Sequence, residues 1–272
     1  MKICGFPRQL QTSQEHIRQI FSEIEKSFSP GSDDYSSSKV LYLFNRSLQI
    51  YNNSNGLFDI SIGPLSRIWG FRDKNYRIPD DKEIKSVLKY IGMDNITIKN
   101  NKIIVPHGVE LDWGAIAKGF AIDLASKSLI SLGVSSGFIN AGGDLYCWGK
   151  NPDGRMWNIG IKHPRRSGFL GALSITNLGA ATTGDYQRYF ERNNVRYQHV
   201  FDPHTGYPAI GKQSVTVMGP ETLVCDALST AIFVSDEIDK ILINYPEYGA
   251  IIVDNKGKIY NTGKLYKFFK IK

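Results

Sequence analysis

Near the end of the chain a carboxylate and a hydroxyl lie four residues apart, at Asp226 and Thr230, within the apolar run 224–234. An apolar run of this length is typical of a buried helix, and a spacing of four residues places both side chains on one helix face. Carboxylate and hydroxyl oxygens suit Mg²⁺ and not zinc. In a simpler interpretation Asp226 caps the helix and Thr230 hydrogen-bonds to a backbone carbonyl, so the pair alone leaves both hypotheses open.

The segment 111–123 combines a lysine with two glycines. We expect a helix to begin at Asp112, which places Lys118 in its first two turns, where free N–H groups and the helix dipole favour an anion. Gly114 and Gly119 would let a ligand or another backbone approach closely. The lysine precedes the second glycine and no Ser or Thr follows it directly, so the segment is not a Walker A loop. An amphipathic helix with a solvated lysine explains the pattern equally well.

Polar residues cluster in three further segments, which are Asn140–Asp144, Thr182–Tyr186 and His199–Gly206. The last of these contains two histidines, a carboxylate, a hydroxyl and a glycine. His199 would serve as a general base and Thr205 as a phosphate contact. Ordinary tight turns would produce the same local patterns.

The 272-residue chain carries a formal net charge of +7, and its sequence pI is near 9.1. This excess of positive charge suits a phosphate ester or a nucleic acid. No recognised nucleic-acid motif accompanies the scattered Lys and Arg residues, so we expect no nucleic-acid partner. The three cysteines, Cys4, Cys147 and Cys225, are odd in number and widely spaced, which argues against a disulfide framework and against a zinc site.

The first ten residues contain no apolar segment of signal-peptide length. No stretch of the chain approaches the roughly 18 apolar residues of a membrane-spanning helix. We therefore expect a cytoplasmic protein without a transmembrane segment. A chain from which a leader had been removed would look the same and would be exported.

Helices and strands are mixed without a regular alternation, which predicts an α+β fold with a β-rich C-terminal half. Helices are predicted over 14–28, 39–54, 80–91, 112–132, 221–234 and 236–243. Hairpins are predicted over 97–104 and 249–261, and a short strand-like run over 58–64. The remaining strands are predicted over 137–140, 144–149, 155–162, 169–176, 187–191, 195–201 and 213–219.

Seven sequence blocks occur in an order that resembles the FAD:protein FMN transferase family, also called ApbE. The blocks are 58–65 (Phe-Asp-Ile-Ser-Ile-Gly-Pro-Leu), 69–71, 112–119, 140–144, 183–186, 199–206 and 226–230. The resemblance implies an ApbE-like, T-fold-like mixed α/β architecture in a single domain over 1–272. Members usually begin with a strand bearing Met-Gly-Thr and carry a Ser-x-x-x-x-Leu-Asn stretch after the first helix. Neither is evident here, which implies a shortened N-terminal strand region and a looser enclosure of adenosine.

The resemblance also implies an activity. Such enzymes split the FAD pyrophosphate with the help of Mg²⁺, attach FMN through a phosphoester to a threonine or serine of an acceptor protein, and release AMP. The acceptor would be a redox subunit or a flavin-carrying domain. Two alternatives use the same site: an FAD pyrophosphatase that gives FMN and AMP, and a non-catalytic FAD-binding protein.

Family positions transfer to this chain residue by residue. The resemblance implies that the metal is held by Asp226, Thr230 and the backbone carbonyl of Ala115, and that His199 is catalytic. The residues that it places against FAD are Leu57, Phe58, Asp59, Asp112, Lys118, Val200 and Thr205.

Overall fold

The computed structural model describes residues 2–4, 7–29, 34–263 and 267–271. Its helices are α1 Pro7–Phe28, α2 Ser38–Asn53, α3 Gly63–Ile68, α4 Asp81–Leu88, α5 Ala117–Ser131, α6 Thr222–Val234 and α7 Ile238–Leu242. Its strands are β1 Lys2–Cys4, β2 Thr97–Lys99, β3 Lys102–Ile104, β4 Ser136–Ala141, β5 Asp144–Trp148, β6 Trp157–Lys162, β7 Phe169–Ile175, β8 Leu178–Gly184, β9 Tyr189–Arg192, β10 Val195–Gln198, β11 Lys212–Gly219, β12 Gly249–Asp254, β13 Ile259–Gly263 and β14 Phe269–Ile271. The α+β class and the β-rich C-terminal half are confirmed.

An antiparallel sheet in the order β1-β4-β5-β8-β11-β12-β13 lies at the centre of the fold. Strand β11 is buried along its whole length, because it has a neighbour on each side and a packed layer on each face. In its register, Val217 lies opposite Ala181 of β8 and Ala250 of β12. The middle of this sheet is therefore buried on both faces and paired on both edges.

The two faces of the central sheet carry different layers. Val217 of β11 packs with Phe233 of α6 and Phe120 of α5 in the largest apolar cluster. Met218, the next residue, packs with Leu173 of β7 in a second cluster. Because successive side chains of a strand point to opposite faces, α5 and α6 cover one face, and the three-stranded sheet β14-β7-β6 covers the other.

A smaller cluster around α3 and α4 supports the segment between β10 and β11. Trp69, Phe71 and Ile84 pack there against Phe201. The Trp69 indole N–H donates to the carbonyl of Gly206 at 3.0 Å, which gives this buried donor its partner. Gly206 has a φ of +77°, and a Cβ there would lie 2.6 Å from Ile84 Cγ2, so the position requires glycine.

The strand-like run predicted over 58–64 is wrong. Asp59 Oδ1 accepts hydrogen bonds from the N–H of Ser61 at 2.6 Å and from its hydroxyl at 2.7 Å, which folds the chain into a turn. Helix α3 follows at once with a proline in its first turn, and Ile62 makes only an isolated bridge to Glu110. The alternating apolar residues of this run line a turn and a helix start.

Two strands of the central sheet were not predicted from the sequence. Strand β8 consists largely of glycine, alanine and threonine, so it lacks the branched apolar residues that indicate a strand. Strand β1 pairs with β4, with Lys2 opposite Phe138, and the sequence predicts no strand ahead of the first helix. The single domain and the shortened N-terminal strand region stay predictions.

Most other predicted elements are confirmed within a few residues at their ends, although α1 begins at Pro7 and not at residue 14. The hairpin over 97–104 turns at Asn100 and Asn101, whose φ values are +49° and +57°. The apolar run 224–234 lies within helix α6. None of the helices in the described ranges combines the length and the hydropathy that a membrane-spanning segment requires.

Candidate active site

Most of the residues singled out from the sequence line one cleft, which encloses about 780 Å³ of space and opens to solvent. Those that line it are Leu57, Asp59, Asp112, Ala115, Lys118, His199, Val200, Asp226 and Thr230. Two others lie outside its lining. Phe58 is buried in the main apolar cluster with 1% of its surface exposed. Thr205 is exposed, and its hydroxyl oxygen accepts the N–H of Tyr207 at 3.4 Å.

Helix α5 begins later than predicted, at Ala117 and not at Asp112. Asp112 Oδ1 accepts the N–H of Gly114 at 2.9 Å, which forms a turn ahead of the helix. The shift places Lys118 at the second helical residue, so its side chain starts beside the free N–H groups of the first turn.

Gly119 explains how closely α5 approaches α6. A Cβ at this position would lie 2.5 Å from the carbonyl oxygen of Thr222. This approach lets the Gly119 N–H donate to Asp226 Oδ2 at 3.2 Å. Asp226 is 4% exposed, so a glycine of α5 brings a backbone donor to a buried carboxylate of α6.

Lys118 lies between two buried carboxylates. Its Nζ is 2.9 Å from Asp144 Oδ2 and 3.1 Å from Asp226 Oδ2. Asp144 Oδ1 accepts the N–H of Thr182 at 3.2 Å, and its Oδ2 has no hydrogen bond of good geometry within the described part of the chain. Two carboxylates therefore share one ammonium group.

The charges of this cluster oppose one another. Burial raises the pKa of Asp226 against the opposing pull of Lys118, and the negative charge of Asp144 adds to the rise. Burial alone would lower the pKa of Lys118, but the two carboxylates outweigh it and raise that pKa. A second cation near Asp226 and Asp144 would relieve the shortage of positive charge.

The donor atoms around this cluster fit Mg²⁺. Carboxylate oxygens of Asp226 and Asp144, the Thr230 hydroxyl and the Ala115 carbonyl are hard ligands. No group of three or more His, Cys, Asp or Glu side chains suited to a metal is found in residues 2–4, 7–29, 34–263 and 267–271. Mg²⁺ commonly takes one or two carboxylates and completes its shell with water and substrate phosphate, so the sparse set is compatible with it.

His199 is oriented by the backbone of a neighbouring segment. Its Nδ1 lies 3.1 Å from the carbonyl oxygen of Arg188. A carbonyl only accepts, so Nδ1 carries the proton in the neutral ring, and Nε2 is left to accept one. Burial and the charge of Arg188 lower the pKa of His199 to about 4. The ring is therefore neutral at pH 7.

Asp59 both stabilises a turn and lines the cleft. Its Oδ1 holds the Ser61 turn, and 7% of its surface is exposed. Burial raises its pKa to about 6, although the hydrogen bonds from Ser61 oppose the rise. Asp59 and Leu57 both line the cleft. A ligand there would meet a carboxyl group that takes up a proton as the pH falls through about 6.

Gln187 and Arg188 also line the cleft although no sequence pattern singled them out, whereas Thr183 belongs to the polar segment Thr182–Tyr186. The sequence pattern of Asn140–Asp144 is typical of a tight turn and does not indicate the contact between Asp144 and Lys118. Arg188 donates from Nη2 to the Phe71 carbonyl at 2.8 Å while its own carbonyl receives His199. No spacing rule connects these residues, because β8 and the loop after it bring them to the cleft.

Three comparisons place the chain among known proteins. The family model described as "ApbE family" matches residues 9–252. A curated "FAD:protein FMN transferase" of Haemophilus influenzae is 34% identical over 201 residues, which are 70% of this chain and 58% of the relative. One of Treponema pallidum is 33% identical over 211 residues, 71% of this chain and 58% of the relative. The chain thus spans about three fifths of the length of these curated relatives.

Solved structures agree with the family match. The crystal structure of an ApbE protein from Thermotoga maritima superposes with a TM-score of 0.88 at 31% identity, covering 96% of this chain and 92% of that one. Flavin transferase ApbE from Vibrio cholerae gives 0.82 at 26% identity, covering 95% and 90%. The matched residues include every block that forms the cleft, from the Asp59 turn to the Asp226–Thr230 pair, and the chain belongs to the ApbE family.

Proposed function

We propose that this protein transfers the FMN part of FAD to a threonine or serine hydroxyl of an acceptor protein in a Mg²⁺-dependent reaction that releases AMP. The names of its relatives support flavin transfer to a protein. The observation that carries the proposal is the cleft, which combines a neutral histidine with a buried carboxylate–lysine cluster. Such a pairing suits the attack of a hydroxyl on a phosphate.

The reaction is a single displacement at phosphorus, in which one P–O bond forms and one breaks. The acceptor oxygen bonds to the phosphorus of the FMN half, and the bond from that phosphorus to the bridging oxygen breaks. AMP leaves with the bridging oxygen, and the hydroxyl proton passes to His199 Nε2. The products are the FMN phosphoester, AMP and one proton.

Residues of the cleft supply charge and orientation. Lys118 would move from the carboxylates toward the pyrophosphate, where its ammonium offsets the charge that grows on the leaving group. Mg²⁺, held by Asp226, Thr230 and the Ala115 carbonyl, would neutralise phosphate oxygens. Leu57, Asp59, Asp112 and Val200 line the space left for the nucleotide.

The low pKa of His199 fits a base that acts only with substrate present. Its neutral form is available at pH 7, but a base with a pKa of about 4 accepts a proton weakly. The charge of Lys118 contributes to that low value. A bound pyrophosphate would neutralise Lys118 and raise the proton affinity of His199.

The test uses FAD labelled with ³²P in its FMN phosphate. We incubate the protein with labelled FAD, Mg²⁺ and a cell protein extract, then measure AMP by chromatography and protein-bound label after denaturation. We expect AMP and protein-bound label in equal amounts, with both abolished by EDTA. AMP without bound label would assign a pyrophosphatase, and intact FAD without AMP would assign a non-catalytic carrier.

A further inference from the structure

A second groove opens beside the cleft and joins it. The groove lies between strand β6 and the face of the central sheet and spans about 1160 Å³, open solvent included. Thr182 and Gln187 line both the groove and the cleft, so the two spaces share a wall. A chain lying in the groove would reach the cleft without crossing another element.

One side of the groove is an unpaired strand edge. Within the described residues β6 pairs with β7 and with no strand on its other side. Residues 159–162 of this edge line the groove. An edge strand presents a row of N–H and C=O groups, alternate residues of which point away from the paired neighbour. An extended peptide could pair with those groups as an added strand.

The opposite rim leaves room for a peptide backbone. Gly142 and Gly143 line the groove at the turn between β4 and β5, with φ values of +67° and +110°. Apart from the adjoining residues, no heavy atom of the described part of the chain lies within 4 Å of a Cβ placed at either glycine. Buried Leu145, Leu173 and Ala180 lie at its inner side, and the polar side chains of Asn140 and Thr216 share the lining with them. The room at the glycine turn suits an extended strand, whose alternate side chains would point into the groove.

The groove carries a single formal charge. Of the described residues that line it, only Lys162 is charged. Its Nζ lies 5.2 Å from the ring centroid of Tyr186, and it forms no ion pair with any residue of the described ranges. This lysine lies at the end of β6, on the groove lining together with Gln187, which also lines the cleft. An occupant with a carboxylate near its reacting residue would complement it.

We propose that the acceptor protein docks through an extended segment that pairs with the free edge of β6. The segment places an acidic side chain at Lys162 and carries its threonine or serine past Thr182 and Gln187 toward His199. This inference rests on the proposed function, because it names the partner of the same cleft. The segment binds as an isolated strand, so a short peptide is itself a substrate.

The first experiment identifies the segment and its conformation. The protein, FAD and Mg²⁺ are incubated with a pool of ten-residue peptides that contain one central threonine and random flanks, and mass spectrometry detects FMN esters. We expect labelled peptides to be enriched in Asp or Glu on one side of the threonine. Peptides N-methylated at successive positions should lose labelling at every second position, the period of strand pairing.

Two results would overturn the docking mode without touching the proposed function. One is labelling of proteins in the cell extract with no labelling anywhere in the peptide pool. The other is an N-methyl scan without a period of two. Absence of both AMP and labelled protein in the extract would instead refute the proposed function.

The second experiment tests Lys162 on the enzyme side. Lys162→Glu should lower the rate of labelling of acidic peptides by about twofold to fivefold, the scale of an exposed ion pair, and Lys162→Arg should retain the rate. The control is Lys82→Glu. Lys82 is exposed on α4, away from the groove, and this substitution changes the charge by the same amount. Because Lys162 does not line the cleft, FAD affinity should stay unchanged. A loss of FAD affinity in Lys162→Glu would indicate that the groove binds the adenosine of FAD. Equal labelling by both Glu variants would show that Lys162 does not contact the acceptor.

Discussion

Asp123 of α5 and Asp226 of α6 each accept backbone hydrogen bonds from the first turn of the other helix. Asp123 receives the N–H groups of Thr222 and Leu223, both at 2.9 Å. Asp226 receives the N–H of Gly119 at 3.2 Å. Each carboxylate satisfies donors that a helix start leaves free and lies near the positive end of a dipole. The candidate metal ligand is thereby held by the same exchange that joins the two helices.

From this exchange of hydrogen bonds we predict that replacing Asp123 lowers stability, whereas replacing Asp226 abolishes activity. Asp123→Asn should lower the free energy of unfolding by roughly 1–3 kcal/mol, because asparagine keeps only one acceptor oxygen and one of the two buried N–H donors loses its partner. Folded protein should keep its FAD turnover, since Asp123 does not line the cleft. Asp226→Asn should instead abolish Mg²⁺-dependent AMP release. Urea unfolding and AMP chromatography on both variants measure this, and full turnover in Asp226→Asn would refute the metal assignment.

The close contact at Gly119 predicts that a glycine-to-alanine change in this helix lowers stability, the opposite of its usual effect. Alanine normally stabilises a helix by about 1 kcal/mol relative to glycine. In Gly119→Ala, the added Cβ meets the Thr222 carbonyl at 2.5 Å, so we expect a net loss of roughly 1–3 kcal/mol. The control is Gly114→Ala, where the nearest atom is a side-chain oxygen of Asp112 at 3.0 Å. Thermal unfolding distinguishes them, and equal melting temperatures would contradict the close contact.

The parts of the site that could be predicted from sequence are local ones. Asp226 and Thr230 share a helix, so their spacing alone places both on one face. The family blocks then supplied partners such as Lys118 and His199 that no periodicity could have connected. The contact between Lys118 and Asp144 joins α5 to β5, and it depends on how two distant segments pack.

Strand β8 shows why part of the fold was missed. Its Gly179 faces α6 so closely that a Cβ would lie 2.5 Å from the Thr222 hydroxyl oxygen. Small residues occupy this central strand because helices and a second sheet press on it, and their composition resembles a loop. At Asp59 the opposite error occurs, because a strand is predicted where none forms. The hydrogen bond from Ser61 to Asp59 folds the alternating segment into a turn. In both places tertiary or side-chain contacts override local propensity.

The raised pKa of Asp59 predicts a pH-dependent stability. Its folded value of about 6 lies above the ordinary carboxyl value of 3.8, so the folded state binds more protons between those pH values. The contribution of this group therefore favours folding at pH 4 and is lost as the pH rises to about 6.5. Relative to Asp59→Asn, wild-type protein should lose roughly 1–3 kcal/mol of unfolding free energy over that interval. Urea titrations at several pH values measure the difference, and parallel pH profiles for the two proteins would contradict it.

Asp144 is expected to control the demand for Mg²⁺ through Lys118. With Asp144→Asn, Lys118 keeps only Asp226 as a charged partner and competes more strongly with a cation for that carboxylate. We expect the Mg²⁺ concentration for half-maximal AMP release to rise by about tenfold, with less effect on the rate at saturating Mg²⁺. The control is Asp153→Asn in the exposed turn before β6. An unchanged Mg²⁺ requirement in Asp144→Asn would show that Asp144 does not influence the metal site.

His199 should act on the chemical step and hardly on FAD binding. Its Nε2 is free to take the acceptor proton because Nδ1 is committed to the Arg188 carbonyl. We expect His199→Gln to lower FMN transfer by about 10²–10⁴-fold, with FAD affinity largely retained, and His204→Gln, an exposed histidine in the same segment, to leave transfer unchanged. In a histidine NMR titration the pKa of His199 should lie near 4 in free protein and rise when FAD binds, since the pyrophosphate neutralises Lys118. Equal loss of binding and transfer in His199→Gln would make this histidine a binding residue, and a pKa unmoved by FAD would break its electrostatic link to Lys118.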